Sequence, residues 1–142
     1  MIRAVLLTHG MLGTELVRAA GKIYGTPDGV SALTNEGMSI ESLVAKLREE
    51  LGVGTEPDSD EGRRSGAEPG VAGEPVFLFV DLIGGSCCHA GLALREFDPR
   101  IRIVGGVNLP MLLEFLHHRD RVGPEELLER VVSRGRDGVR VP

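Results

Sequence analysis

The chain is poor in aromatic residues: none of its 142 residues is tryptophan, and it has only one tyrosine and four phenylalanines. Proteins that bind single-stranded nucleic acid stack the bases on aromatic side chains, so this composition argues against such a platform. The formal net charge of −5 argues in the same direction, because nucleic-acid binding needs a basic surface. The composition therefore predicts no nucleic-acid partner.

Long apolar runs are also missing. No segment approaches the roughly 20 apolar residues that a membrane-spanning helix requires. The N-terminal run ends at Thr8, too early for the core of a signal peptide followed by a cleavage site. The only cysteines, Cys87 and Cys88, are adjacent and therefore poor partners for an ordinary structural disulfide. These absences predict a cytoplasmic protein with reduced thiols and no direct membrane insertion.

Strand and helix patterns alternate along the chain. Short continuous apolar runs predict buried strands, and segments with apolar residues at helical spacing follow them. The predicted strands cover residues 4–7, 30–33, 76–80 and 101–104. The predicted helices cover residues 12–24, 40–51, 109–118 and 124 to about 133, and a further helix opens at Gly84-Gly85-Ser86 and runs through Arg95. This alternation predicts one domain over residues 1–142, of the α/β class, with a doubly wound, mainly parallel sheet and helices on both faces. Residues 139–141 add a possible short terminal strand.

Residues 52–75 have a different composition from the rest of the chain. They hold six glycines, three prolines and eight charged residues, with few apolar side chains. Such a segment buries too little surface to offset its chain entropy, which predicts a flexible loop. A tolerated insertion is the favoured interpretation, and a docking motif is the alternative.

Polar and glycine residues follow three of the predicted strands. Thr8-His9-Gly10 follows the first, Asp81 with Gly84-Gly85-Ser86 follows the third, and Gly105-Gly106-Val107-Asn108 follows the fourth. Right-handed crossovers bring these strand ends to one edge of the sheet, where open α/β sheets bind ligands. A carboxylate that accepts from one imidazole nitrogen leaves the other free as a base or nucleophile. Backbone N–H groups after Gly84 and Gly85 would suit a phosphoryl group.

Each of these elements also has a purely structural interpretation. His9 could cap the following helix, Asp81 could cap the entry to the third helix, and Gly84-Gly85-Ser86 could be a tight turn. Their joint position at one edge favours an anion site centred on His9, although spacing alone does not identify a reaction.

The segment Cys87-Cys88-His89 raises the question of a metal. Adjacent cysteines rarely bind one tetrahedral ion, and the sequence has no second cysteine or histidine cluster, so no metal site is predicted. Near the start of a helix the thiol pKa values tend to fall, so oxidation could gate the neighbouring site. Two small packed side chains are the simpler alternative.

At these residues the chain resembles the IIA component of the mannose-family sugar phosphotransferase system (PTS). The matching stretches are residues 5–10, 79–86, 105–112 and 135–139, so the resemblance spans nearly the whole chain except residues 52–75. The most specific part is Asp-x-x-Gly-Gly-Ser from Asp81 to Ser86, followed by Gly-Val-Asn-x-Pro-Met-Leu from Gly106 to Leu112.

The resemblance implies a phosphotransferase of the protein-histidine type. His9 would accept a phosphoryl group on Nε2 from the phosphocarrier protein HPr and pass it to a histidine of a IIB component during sugar uptake. Asp81 would orient the imidazole through Nδ1, and Ser86 would lie beside the phosphate, with Thr8, Gly10, Gly84 and Gly85 around it. The family fold is usually a homodimer in which a short terminal strand is exchanged, and residues 139–141 fit that strand. No cofactor or metal is expected.

The chain departs from the family pattern after Gly-Gly-Ser, where Cys87-Cys88-His89 replaces a Pro-Phe-Asn-like run, and at Leu82, which is often polar in transporter members. Both changes affect the rim of the site and so concern the choice of partner. Two other hypotheses remain: a regulatory IIA-like module whose phosphorylation state signals to a partner without sugar transport, and a small-ligand or nucleotide-binding domain in which His9 is structural.

Overall fold

The computed structural model describes residues 1–52 and 73–142. Strands and helices alternate until the last two helices, in the order β1 (Arg3–Thr8), α1 (Leu12–Tyr24), β2 (Val30–Thr34), α2 (Ile40–Leu51), β3 (Val76–Val80), α3 (Ser86–Arg95), β4 (Ile101–Val104), α4 (Leu109–His118) and α5 (Pro124–Asp137). The predicted strands and helices are confirmed with two exceptions: α5 continues to Asp137, past the predicted end at residue 133, and residues 139–141 form no strand. The predicted loop at residues 52–75 lies almost entirely outside the described residues.

All four strands are parallel and stand in the order β2-β1-β3-β4. From β1 the chain moves outward to β2 at one edge of the sheet, and from β3 it moves outward to β4 at the other edge. The direction of winding therefore reverses between β1 and β3, and the ends of these two strands flank the crevice in which doubly wound folds bind ligands. The sheet thus places the residues that follow β1 and β3 side by side.

Each face of the sheet is covered by its own apolar core. Side chains of a strand alternate between the two faces, so Leu6 and Phe77 pack with α1, α4 and α5 on one face. Leu7 and Leu78 pack with α2 and α3 on the other. Helices therefore lie on both faces, as predicted, and the sheet is the rigid platform on which the loops at its carboxyl edge are mounted.

Several helix ends are fixed by side chains that the sequence identifies. Ser39 accepts a hydrogen bond from the backbone N–H of Ser42 at 3.2 Å and so caps α2. Asn108 accepts from the N–H of Met111 at 3.0 Å and caps α4.

None of the helices within the two described ranges is both long and apolar enough to cross a membrane.

The predicted terminal strand is not formed within the single chain. Val139 and Val141 follow α5 as irregular backbone, and they are 82% and 99% exposed. Strand β4 pairs with β3 alone among the described strands, so its outer side is open at the edge of the sheet. Exchange of residues 139–141 between two subunits stays a prediction.

Candidate functional site

His9 and Asp81 meet at the crevice between β1 and β3. His9 directly follows β1, and Asp81 directly follows β3. The Nδ1 atom of His9 lies 2.9 Å from Oδ2 of Asp81 and 3.1 Å from Oδ1. The backbone N–H of His9 also donates to Oδ2, at 2.9 Å. The carboxylate therefore holds both the main chain and the ring of the histidine.

The environment of Asp81 keeps its carboxylate ionised. Burial acts to raise its pKa, since the side chain is only 10% exposed. Hydrogen bonds from the backbone and the ring of His9, together with the charge of the ring, more than offset this, and the net effect is a lowered pKa. The N–H of Leu82 donates a further hydrogen bond to Oδ1 at 3.0 Å.

An ionised carboxylate can only accept hydrogen bonds, so in a neutral His9 the ring proton is assigned to Nδ1. The unprotonated nitrogen is then Nε2, which carries a free lone pair. The side chain of His9 is 47% exposed, which leaves room for a reaction partner. The pair therefore has the geometry of an oriented, accessible nucleophile.

The start of α3 lies against the same imidazole. Gly85 is the residue before α3, and a Cβ atom placed on it would lie 3.5 Å from Cε1 of His9. Gly84 has a φ of +85°, a conformation that favours glycine and turns the chain into the helix. The first N–H groups of a helix have no partners within the helix, and the positive end of the helix dipole is there. Ser86, the first residue of α3, adds a hydroxyl.

Sequence reasoning did not identify Asn35. It follows β2, and its Nδ2 donates a hydrogen bond to Oγ of Ser86 at 3.2 Å. Its backbone N–H donates to the carbonyl of Thr8 at 3.1 Å. The available signal was a polar residue directly after the second strand, at the same edge of the sheet as His9. Asn35 thus joins the end of β2 to the end of β1 and to the start of α3, while His9 and Asp81 join the ends of β1 and β3.

The remaining predicted residues have different positions. The hydroxyl of Thr8 is fully buried and accepts from the N–H of Gly13 at 2.7 Å, so this side chain secures the start of α1. Gly10, at φ +55°, begins the turn into α1 and lies next to the carboxylate of Glu36. Gly105 leaves space for the side chain of Ile83, which a Cβ atom there would overlap. The Nδ2 atom of Asn108 donates to the carbonyl of Gly135 at 3.1 Å, which ties α4 to α5.

Cys87 and Cys88 are both buried, in the core beneath α3. Burial is the largest cause of a raised pKa of the Cys87 thiol, and the negative charge of Asp81 adds to it. The expectation that the thiol pKa falls at this helix start is therefore wrong for Cys87, because desolvation and a neighbouring anion outweigh the helix dipole. A buried thiol of raised pKa is a poor target for oxidation, which removes the support for redox gating through Cys87.

Exposed apolar side chains follow the same strand ends as His9 and Asp81. Leu82 and Ile83 are 58% and 72% exposed, and Met11 and Leu12 at the start of α1 are 55% and 46% exposed. They follow the carboxyl ends of β3 and β1, the same two strands that carry Asp81 and His9. Exposed apolar side chains grouped at one edge of a sheet are typical of contact with another protein.

A cavity lies away from His9, between α1, α4 and α5. It has a volume of about 650 Å³ and is lined by Tyr24, His117 and Arg134, among others. The Nδ1 atom of His117 lies 2.8 Å from the hydroxyl of Tyr24. The Nε2 atom of His117 lies 2.9 Å from NH1 of Arg121. His117 therefore has two side-chain partners. No residue of the predicted site lines the cavity, so the chemistry is assigned to the sheet edge.

Fold and site together define a doubly wound α/β domain with a histidine–aspartate pair at the switch point of its sheet. The family model described as "PTS system fructose IIA component" (EIIA-man) matches residues 70–132, a stretch that contains Asp81 and Ser86 but begins after His9. Among curated proteins, the chain is 26% identical over 142 residues to the fructose-specific EIIA component of Bacillus subtilis, covering 99% of this chain and 86% of that one. It is 28% identical over 141 residues to the mannose-specific EIIAB component of Escherichia coli K12, covering 98% of this chain but only 39% of that protein's length.

Solved structures agree on the fold. An EIIA component from Streptococcus agalactiae superposes with a TM-score of 0.80 at 20% identity, covering 99% of this chain and 97% of that one. A mannose/sorbose-specific IIA subunit from Enterococcus faecalis gives a TM-score of 0.75 at 23% identity, covering 99% and 94%. The resemblance described above is confirmed: the chain is similar to PTS IIA components in sequence over nearly its whole length, and it shares the fold of the solved IIA structures.

Proposed function

We propose that this protein is a phosphoryl carrier of the sugar phosphotransferase system that accepts phosphate from HPr on His9 and passes it to a IIB histidine. The observation that supports this most directly is the contact between the Asp81 carboxylate and Nδ1 of His9, at 2.9 Å and 3.1 Å, with the ring half exposed. The relationship to PTS IIA components supports the coarser statement, a role in sugar phosphotransfer.

The transfer exchanges one P–N bond for another. The Nε2 lone pair of His9 attacks the phosphorus of the donor phosphohistidine in line, the donor P–N bond breaks, and its electron pair stays on the donor imidazole. Such a step depends on positioning and on charge stabilisation rather than on acid–base chemistry. In the phosphorylated state the ring still donates from Nδ1 to Asp81, whose negative charge stabilises the more cationic imidazole.

Donors for the three phosphoryl oxygens are available at the start of α3. We expect the N–H groups of its first turn and the hydroxyl of Ser86 to reach a phosphoryl group on His9, because a Cβ atom on Gly85 would lie 3.5 Å from Cε1 of His9. Fixed N–H donors and a helix N-terminus can stabilise developing negative charge without a metal ion. The exposed apolar residues Leu82 and Ile83 would contact the partner protein.

The experiment is a relay with phosphoenolpyruvate, enzyme I and HPr, followed by addition of candidate IIB proteins. We expect acid-labile phosphate on the wild type, no label on His9→Ala, and labelling slowed by about 10²–10⁴-fold in Asp81→Ala. His89→Ala is the matched control, since His89 lies in α3 near the site but outside the proposed machinery. Equal labelling of wild type and His9→Ala would contradict the proposal. Labelling without delivery to any IIB would favour the regulatory alternative.

A further inference from the structure

The structure brings three different metal-binding groups together at His9. One ligand atom each from His9, Asp81 and Cys87 lie within 4.8 Å of one another. They come from three places in the chain: the ends of β1 and β3 and the first turn of α3. Sequence reasoning considered only Cys87-Cys88-His89, which are consecutive. The set in the structure shares one cysteine with that run and takes its other members from distant segments.

The chemistry of this set suits zinc. Imidazole nitrogen, carboxylate oxygen and thiolate are the three ligand types that zinc takes in proteins, at about 2.0–2.3 Å. Tetrahedral geometry at those lengths separates the ligand atoms by about 3.3–3.6 Å, so closure needs side-chain shifts of the order of 1 Å. A carboxylate and a thiolate together balance the charge of the ion. Hard cations such as Mg²⁺ prefer oxygen ligands alone and fit this set poorly.

We propose that His9, Asp81 and Cys87 form a three-ligand zinc site with one open position, and that zinc there blocks phosphorylation of His9. The blocking step, unlike the binding step, rests on the proposed function. Zinc takes the Nδ1 lone pair, the ring proton moves to Nε2, and the thiol of Cys87 releases its proton to solvent. The nitrogen that would attack phosphorus then carries hydrogen and has no lone pair.

Access and burial are consistent with a regulated site. His9 is half exposed and gives the ion a route from solvent, whereas Cys87 lies fully buried at the inner end of the cluster. An ordinary thiol is protonated at neutral pH, and a divalent ion reverses the sign of the local field and favours the thiolate.

The binding experiment uses the untagged, unphosphorylated protein with Zn²⁺ alone and, as a spectroscopic probe, Co²⁺ alone. We expect one site, release of about one proton per zinc, and a sulfur-to-cobalt charge-transfer band with the visible bands of tetrahedral cobalt. Cys87→Ala should lose the band and weaken zinc binding by at least the roughly 10–100-fold seen when even an outer-shell partner is removed. Cys88→Ala is the matched control, because Cys88 is the adjacent buried thiol of the same helix, and it should keep both.

Cys87→Ser provides a second variant, and far-UV circular dichroism confirms that each variant folds. A wild type without the charge-transfer band, or equal zinc affinity in Cys87→Ala and Cys88→Ala, would overturn the site. Mg²⁺ should neither bind nor displace Co²⁺.

The functional experiment measures the HPr-driven labelling rate with excess zinc or with chelator, each variant being compared with its own rate in chelator. We expect zinc to suppress labelling in the wild type and in Cys88→Ala, and to suppress it far less in Cys87→Ala. Normal labelling of zinc-loaded wild type would refute the blocking step. Absent labelling in chelator would refute the proposed carrier function and leave the zinc titration to decide the site by itself.

Discussion

Asn35 donates a hydrogen bond from Nδ2 to the hydroxyl oxygen of Ser86 at 3.2 Å, and so joins the end of β2 to the start of α3. Ser86 accepts from Asn35 and keeps its own O–H to donate: its hydroxyl also contacts the sulfur of Cys87, and an anion beside His9 would be a stronger acceptor. The asparagine therefore sets the direction in which the serine donates.

The first prediction tests this relationship with a double-mutant cycle. Asn35→Ala should slow phosphorylation of His9 by up to about tenfold, because a neutral hydrogen bond contributes roughly 0.5–1.5 kcal/mol. Ser86→Ala should slow it at least as much. If the asparagine acts through the serine, the double variant will be no slower than Ser86→Ala. Fully additive losses, measured as labelling rates, would contradict the relationship.

The second prediction concerns the space beside the imidazole. Gly85→Val places two methyl groups near His9, whose Cε1 is already in contact range of a Cβ atom at that position. We expect labelling to slow by about 10–100-fold, since misplacement by an ångström is costly for group transfer. Gly85 has an ordinary φ of −82°, so the fold should tolerate the change.

Gly123→Val is the matched control for Gly85→Val. Gly123 also precedes a helix, with a φ of −70°, and a Cβ atom there would contact nothing within 4 Å. Both variants should lose similar, small amounts of stability, about 1 kcal/mol or less, as expected for changes at a helix cap. Only Gly85→Val should lose labelling. If both variants label normally, the start of α3 is not the phosphoryl site.

The third prediction is a pH dependence of stability. The pKa of Asp81 in the folded protein is lowered from 3.8, so the carboxylate stabilises the fold above that pH. This contribution is lost as the pH falls from 3.8 through the lower folded value. Urea unfolding between neutral pH and pH ~2 should therefore show a steeper acid loss in the wild type than in Asp81→Asn.

Asp98→Asn separates stability from activity. The pKa of Asp98 is also lowered, chiefly by its hydrogen bond with Arg100, whose NH2 lies 2.6 Å from Oδ2. Asp98 precedes β4, at the sheet edge opposite His9. We expect this variant to share the reduced acid loss but to label at the wild-type rate, whereas Asp81→Asn should label slowly. If Asp81→Asn labels as fast as Asp98→Asn, Asp81 acts only through stability.

The fold could be predicted almost completely because β1 and β3 are short apolar runs buried on both faces, and each of the four strands is followed by a helix with an apolar stripe. The pairing of His9 with Asp81 could be predicted as well. These residues directly follow β1 and β3, so they meet when the two strands are neighbours in the sheet. The end of α5 was missed because residues 134–137 carry mostly charged side chains, which give no apolar signal although they continue the helix.

The direction of individual side chains could not be predicted in the same way. Thr8 was grouped with the phosphate site because it precedes His9, but alternation along β1 turns its hydroxyl inward, to Gly13. Asn35 was missed because its role depends on β2 lying next to β1. The proximity of Cys87 to His9 depends on the entry angle of α3, which no local pattern in Gly84-Gly85-Ser86 specifies.

The last prediction concerns the open edge of the sheet. The outer side of β4 has no strand partner among the described residues, and Val139 and Val141 are almost fully exposed after α5. Unpaired edges are usually covered, and exchange of a terminal strand between two identical subunits covers both edges at once.

We expect the intact chain to sediment as a dimer and a variant ending at Asp137 to sediment as a monomer that keeps its helical circular dichroism. Val139→Ala with Val141→Ala should weaken the dimer without shortening the chain, whereas Arg140→Ala should do so less. A monomeric intact chain, or a truncated chain that remains dimeric, would show that residues 138–142 are not the exchanged strand.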